Sequence, residues 1–156
     1  MKIVLGILCL ILCCFAGYLI SAKYKDRLNF YLDFKNFNDN LKKEISFSQK
    51  TIKQILLEKQ QNNSIFYTLI SKNILSNENP TNKELYFLTK NEIDEVLTYI
   101  TNVGNSDKNS QLTYLNNFES ILNEKVNVVK EEEKKYKNLY IKIGFLIGLM
   151  LLIAFL

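Results

Sequence analysis

Two uncharged apolar runs bound what this chain can fold into: "IVLGILCLILCCFAGYLI" at 3–20 and the stretch from 143 to 156. Between them, roughly 21–142 is polar and rich in Lys, Glu and Asn, with no apolar run long enough to span a bilayer. As a helix the first run is about 27 Å long, close to the roughly 30 Å of a hydrocarbon core. The second run is about 21 Å from Ile143, short of that thickness. Starting at Tyr140, with Lys142 reaching back to the interface, it becomes 17 residues and ends at or just below the far side. The order apolar–polar–apolar predicts an N-terminal transmembrane helix and flank over 1–21, a helical domain over 22–138, and a C-terminal transmembrane helix over 139–156.

The first run also has the outline of a signal peptide, with Lys2, an apolar stretch and small residues at Ala16 and Gly17. Its apolar character continues through Tyr18, Leu19 and Ile20, however, and no small residue precedes Cys13 as lipoprotein processing would need. An uncleaved span fits better. Lys23, Lys25 and Arg27 crowd one end of the first span, and Lys134, Lys135, Lys137 and Lys142 the start of the second. This bias predicts a cytoplasmic middle domain with both termini across the membrane. The net charge of +4 is mostly this juxtamembrane lysine and needs no nucleic acid to explain it.

Residue types restrict the chemistry. There is no His anywhere, which removes histidine base catalysis, histidine metal sites and a Ser-His-Asp triad. Five glycines, most of them in the apolar ends, cannot build a phosphate-binding loop. Asp94, Glu95 and Glu119 fall at helical positions suited to a solvated surface. Cys9, Cys13 and Cys14 all lie in the first span, where they read as small apolar fillers rather than as a disulfide or zinc framework. The chain therefore reads as a non-enzyme with no cofactor and no metal. An intramembrane thiol role for Cys13 and Cys14 is a distant rival.

Helical periodicity organises the middle. Leu28, Tyr31, Phe34, Phe37, Leu41 and Ile45 recur along one face directly after the first span. Ile52, Ile55 and Leu56 mark a second helix, and Phe66, Leu69 and Ile70 a third. "SNENPTN" at 76–82, with Pro80, reads as a loop, and Leu85 and Leu88 as a short helix. Thr89 and Glu92 form a capping box that opens a helix through Ile93, Val96, Leu97, Ile100 and Val103. Gly104 closes it, and Ser106 or Asp107 starts the next helix, with Gln111 as an i,i+4 partner for Asp107. The last helix, through Leu112, Leu115, Phe118, Leu122, Val126, Val129, Tyr136 and Tyr140, runs about 45 residues into the membrane. Glu131–Lys135 and Glu133–Lys137 support its solvated face. Strand alternation is absent, so the fold class is all-α: a helical bundle between two spans. Gly144 and Gly148 form a small-xxx-small face on which the first span can pack.

Three segments together resemble the stage III sporulation protein AB family. They are "LKKEISF" at 41–47, "LTYITNVGNSDKNSQ" at 97–111 and the closing "KNLYIKIGFLIGLMLLIAFL". In the second, Leu97, Gly104, Asp107 and Gln111 keep the family pattern, while Ile100 and Thr101 replace its Phe-Gly and Val103 its Leu. In the third, Tyr140, Gly144 and Gly148 are kept. The resemblance implies a helical cytoplasmic domain similar to platform proteins of type II secretion and type IV pilus systems. It also implies a scaffold subunit of the mother-cell-to-forespore channel, in the outer forespore membrane, near a cytoplasmic secretion-type ATPase. Gly104, Asp107 and Gln111 would be its partner-docking loop, although a simple helix break accounts for the same residue types. A homo-oligomer is compatible with this layout. The rival from another class is an exported, tail-anchored surface or wall-binding protein whose first segment is cleaved.

Overall fold

The computed structural model describes residues 2–47, 52–58, 64–76, 85–104 and 106–155. Five helices occupy them: α1 (Lys2–Phe47), α2 (Ile52–Glu58), α3 (Ile65–Ser76), α4 (Lys90–Asn102) and α5 (Lys108–Phe155), and no strand occurs among the described residues. The expected Pro80 loop lies outside them apart from Ser76, the last residue of α3. No proline interrupts α1 or α5, which run 46 and 48 residues. The chain divides into two compact units, Asn29–Val126 and the pair Met1–Leu28 with Asn127–Leu156.

In the unit Asn29–Val126 the core is aromatic. Phe30, Phe34 and Phe37 of α1, Phe66 of α3, Phe87 of the turn before α4, and Tyr99 of α4 are all buried. Phe34 stacks on Phe66 at 4.5 Å and meets Tyr99 edge-on at 4.6 Å, each such pair adding about 0.5–1.5 kcal/mol beyond area burial. The stripe expected on α1 is buried at Tyr31, Phe34, Phe37 and Leu41, while Leu28 and Ile45 at its ends are half-buried. Phe30, outside that stripe, is buried as well.

Two polar contacts cross this core. Asn38 is fully buried; its Nδ2 donates to the Leu115 carbonyl at 3.2 Å, and its Oδ1 accepts from the Tyr99 hydroxyl at 3.0 Å. Glu92, also buried, accepts from the Tyr31 hydroxyl at 2.8 Å through Oε1 and from the Thr89 N–H and hydroxyl at 2.9 Å through Oε2. A buried carboxylate is tolerable because such donors replace its lost hydration. The same contacts complete the expected capping box and tie the start of α4 to α1.

One expected element differs. Leu85–Leu88 is a turn closed by the Leu88 N–H to the Leu85 carbonyl at 2.9 Å, not a helix of its own. Thr89 must leave helical geometry (φ −77°, ψ 160°) to cap α4, so the turn cannot propagate forward.

In the other unit, α1 and α5 each contain a segment long and apolar enough to cross a membrane, and only 17% and 6% of the two apolar windows is buried. In the same unit Arg27 pairs with Glu132, and Tyr24 stacks against both Tyr136 (5.2 Å) and Tyr140 (5.9 Å). Glu133 pairs with Lys137 at 3.1 Å as expected; Lys135, expected to pair with Glu131, instead lies 5.3 Å over the Tyr136 ring.

Candidate functional site

The corner between α4 and α5 holds the three residues singled out for docking. Val103 caps α4, and its N–H returns to the Tyr99 carbonyl. The chain can then turn only through a left-handed residue, and Gly104 supplies it at φ 89°. A Cβ there would stand 2.7 Å from the tip of the Ile52 side chain, which can move aside, so it is the left-handed conformation that calls for glycine. Asp107 is the N-cap of α5: its Oδ2 accepts from the N–H groups of Asn109 and Ser110, each at 3.2 Å. Hydrogen bonds from the Ser110 hydroxyl and N–H, with that of Asn109, hold the exposed Asp107 carboxyl below the ordinary carboxylate range.

Gln111 does not pair with the Asp107 side chain. Its Oε1 accepts from the Gly104 N–H and the Ser106 hydroxyl, both at 3.1 Å, and the residue is buried. The reason is the turn itself. Gly104 lies past the end of α4, and the Gln111 amide oxygen is the acceptor that satisfies its N–H. Gln111 therefore sets the shape of the corner, while Ser106, Asp107, Lys108, Asn109 and Ser110 form its exposed surface. Lys108 reaches the Ser46 carbonyl at 3.4 Å and so brings a cation to the carbonyl end of α1, whose own last turn has none. Phe47, the last residue of α1, is 89% exposed.

Gly144 and Gly148 belong to the other unit, where they lie in a close seam between α1 and α5. A Cβ on Gly144 would stand 2.7 Å from the Cys13 carbonyl oxygen, and one on Gly148 3.0 Å from Leu10 Cα. Gly17, passed over in the sequence except as a small residue near a cleavage site, faces them: its Cβ would meet the Tyr140 carbonyl oxygen at 2.7 Å. The 127-residue separation of Gly17 from Gly144 hides this match, although both sit in apolar runs. Cys9, Cys13 and Cys14 are free thiols of intermediate exposure. Asp94 and Glu95 are exposed, Glu95 pairing with Lys125 at 3.0 Å, and Glu119 pairs with Lys42 at 2.5 Å. Among the described residues no group of His, Cys, Asp and Glu is placed to hold a metal ion.

Residues 2–156 match the family model described as stage III sporulation protein AB. The chain belongs to that family. No curated protein and no solved structure matches it. Membership gives the chain a role in sporulation, and the segments that carry the resemblance have definite places in the fold. Residues 41–47 are the last turns of α1, 97–111 are the end of α4 and the glycine-turned corner, and 137–156 include the glycine face of α5. Gly104 and Gln111 are thus partners in one hydrogen bond rather than two independent surface features.

Proposed function

We propose that the chain is a non-enzymatic, membrane-anchored platform subunit of the mother-cell-to-forespore channel complex, with its middle domain in the mother-cell cytoplasm. The observation that carries this reading is the glycine seam between the apolar segments of α1 and α5, which supports a two-helix anchor with a retained first span. The lysines and arginine at the polar ends of both segments support the inward orientation. In the middle unit the one buried carboxylate among the described residues, Glu92, is occupied by three donors, and the core is filled by aromatic rings, so neither supplies a free base at a reacting centre. The work left is to hold partners. By family resemblance these are other channel proteins and a secretion-type ATPase. The exposed part of the α4–α5 corner around Asp107 is the docking surface we assign, with Gly104 and Gln111 fixing its shape.

The test is topological and then physical. In a variant with Cys9, Cys13 and Cys14 replaced by Ala, a single cysteine at exposed Asn116 should react with a membrane-impermeant maleimide only after the cells are opened. Labelling of intact cells would refute the cytoplasmic platform and favour an exported, tail-anchored protein. A photo-crosslinker at Asp107 during sporulation should then capture a channel component.

A further inference from the structure

Beside the glycine seam lies an open groove of about 470 Å³, lined by Cys14 of α1 and by Ile141, Lys142, Phe145 and Leu146 of α5. Its walls are almost entirely carbon. The four α5 residues share one helix face, and Lys135, seven residues before Lys142, continues that face about 10 Å further along. Lys142 is exposed and makes no ion pair among the described residues. The nearest carboxylate along α5 is Glu133, which is engaged by Lys137. An uncompensated cation therefore stands at the rim of a hydrocarbon groove.

That pairing selects its occupant. A second transmembrane helix of apolar residues would cover Lys142 with nothing to neutralise it, which is costly away from water. A free anion would leave the carbon walls empty. A molecule with an acyl chain and an anionic head at one end satisfies both halves, the chain along Ile141, Phe145 and Leu146 and the phosphate at Lys142. We propose that this groove is a binding site for an anionic phospholipid, its headgroup held at Lys142. The proposal rests on the membrane-embedded reading of the two apolar segments.

The chain contains no Trp, so F145W places a single fluorophore in the groove. I147W, at a position 49% exposed and two residues on, places one on another face of α5. The full-length variants are reconstituted in phosphatidylcholine vesicles containing brominated phosphatidylglycerol or brominated phosphatidylcholine at equal mole fraction. F145W should favour the glycerol lipid about fivefold, the preference one lysine supplies near a membrane surface. I147W should be quenched equally by both. K142Q in the F145W background should abolish the preference while quenching by phosphatidylcholine remains. Equal quenching of F145W by both lipids, or a preference that survives K142Q, overturns the lipid site and leaves the membrane reading intact. Quenching at 147 without quenching at 145 means protein covers the groove, which also overturns the site. Quenching at neither position overturns both.

Discussion

The hydrogen bond between Asn38 and Tyr99 offers a sharp test of how α1 and α4 are held together. Both side chains are fully buried, and the Tyr99 hydroxyl donates to Asn38 Oδ1 at 3.0 Å. Asn38→Leu keeps the branched shape and number of heavy atoms, though with bulkier methyl groups, but strands the Tyr99 hydroxyl, which should cost about 1–3 kcal/mol. The Leu115 carbonyl also loses its Asn38 donor, a smaller loss because it lies inside α5 and accepts there as well. Tyr99→Phe strands the Asn38 carbonyl oxygen instead and should cost a similar amount. In the double variant nothing is stranded at this contact, so its cost should fall short of the sum by about 1–3 kcal/mol. The assay is urea unfolding of the full-length chain in a mild detergent, followed by circular dichroism. Against the few kcal/mol of total stability that a domain this small holds, a shortfall of that size is readily measured. Strict additivity would mean the two groups do not depend on one another, and the account of this polar core would be wrong.

Two further outcomes follow from named contacts. Gly144→Ile puts a side chain where the Cys13 carbonyl leaves 2.7 Å, and since backbone cannot yield there the seam should open. In a variant keeping only Cys13, maleimide labelling of that thiol should accelerate several-fold over the Gly144 parent, and an unchanged rate would count against the seam. The second outcome concerns alkaline pH. Burial, with Tyr114 and Asp39 nearby, raises the Tyr99 hydroxyl well above its ordinary value of 10.0. A raised value in the folded state means its stabilisation is complete below pH 10 and is lost as pH rises through the folded value. The unfolding midpoint should therefore decline above pH 10 more steeply in the parent than in Tyr99→Phe; identical declines would remove Tyr99 as the cause.

The features legible in the sequence are those encoded by near neighbours. The buried stripe of α1, the Thr89–Glu92 box and the left-handed Gly104 each follow from residues within a few positions of one another. Leu85 and Leu88 show the limit of that logic, since a spacing of three suits a single turn as well as a helix. What stayed hidden depends on which face meets which. Asn38 and Tyr99 lie 61 residues apart, as do Tyr31 and Glu92, and nothing in either local pattern announces the partner. Asn38 is a polar residue beside the apolar stripe of α1, and only the fold puts Tyr99 opposite it. Gln111 was misdirected for a related reason: its partner is determined by the N–H that the Gly104 turn leaves over, not by its distance from Asp107.

The two units invert each other's burial pattern, and this says more about their solvents than hydropathy alone. In Asn29–Val126 most of the large rings are inside, and among the described residues the lysines and every carboxylate but Glu92 are half-buried or exposed, the arrangement water imposes. In the apolar segments, 4–21 and 139–154, the buried residues are Gly6, Gly17, Ser21, Gly144 and Gly148, all small. The large ones face outward, Val4 at 69% and Met150 at 73% exposed. Packing of that kind hides very little apolar area and would have almost no driving force in water. In hydrocarbon the balance differs, because lipid solvates leucine as well as a neighbouring helix does, and association then rests on close backbone approach. Only glycine permits an approach in which a Cβ would stand 2.7 Å from a facing carbonyl oxygen. The seam is thus a structure adapted to lipid in its own right, and it predicts that the segments stay paired in a membrane-like solvent, where hydrophobic burial contributes nothing to holding them.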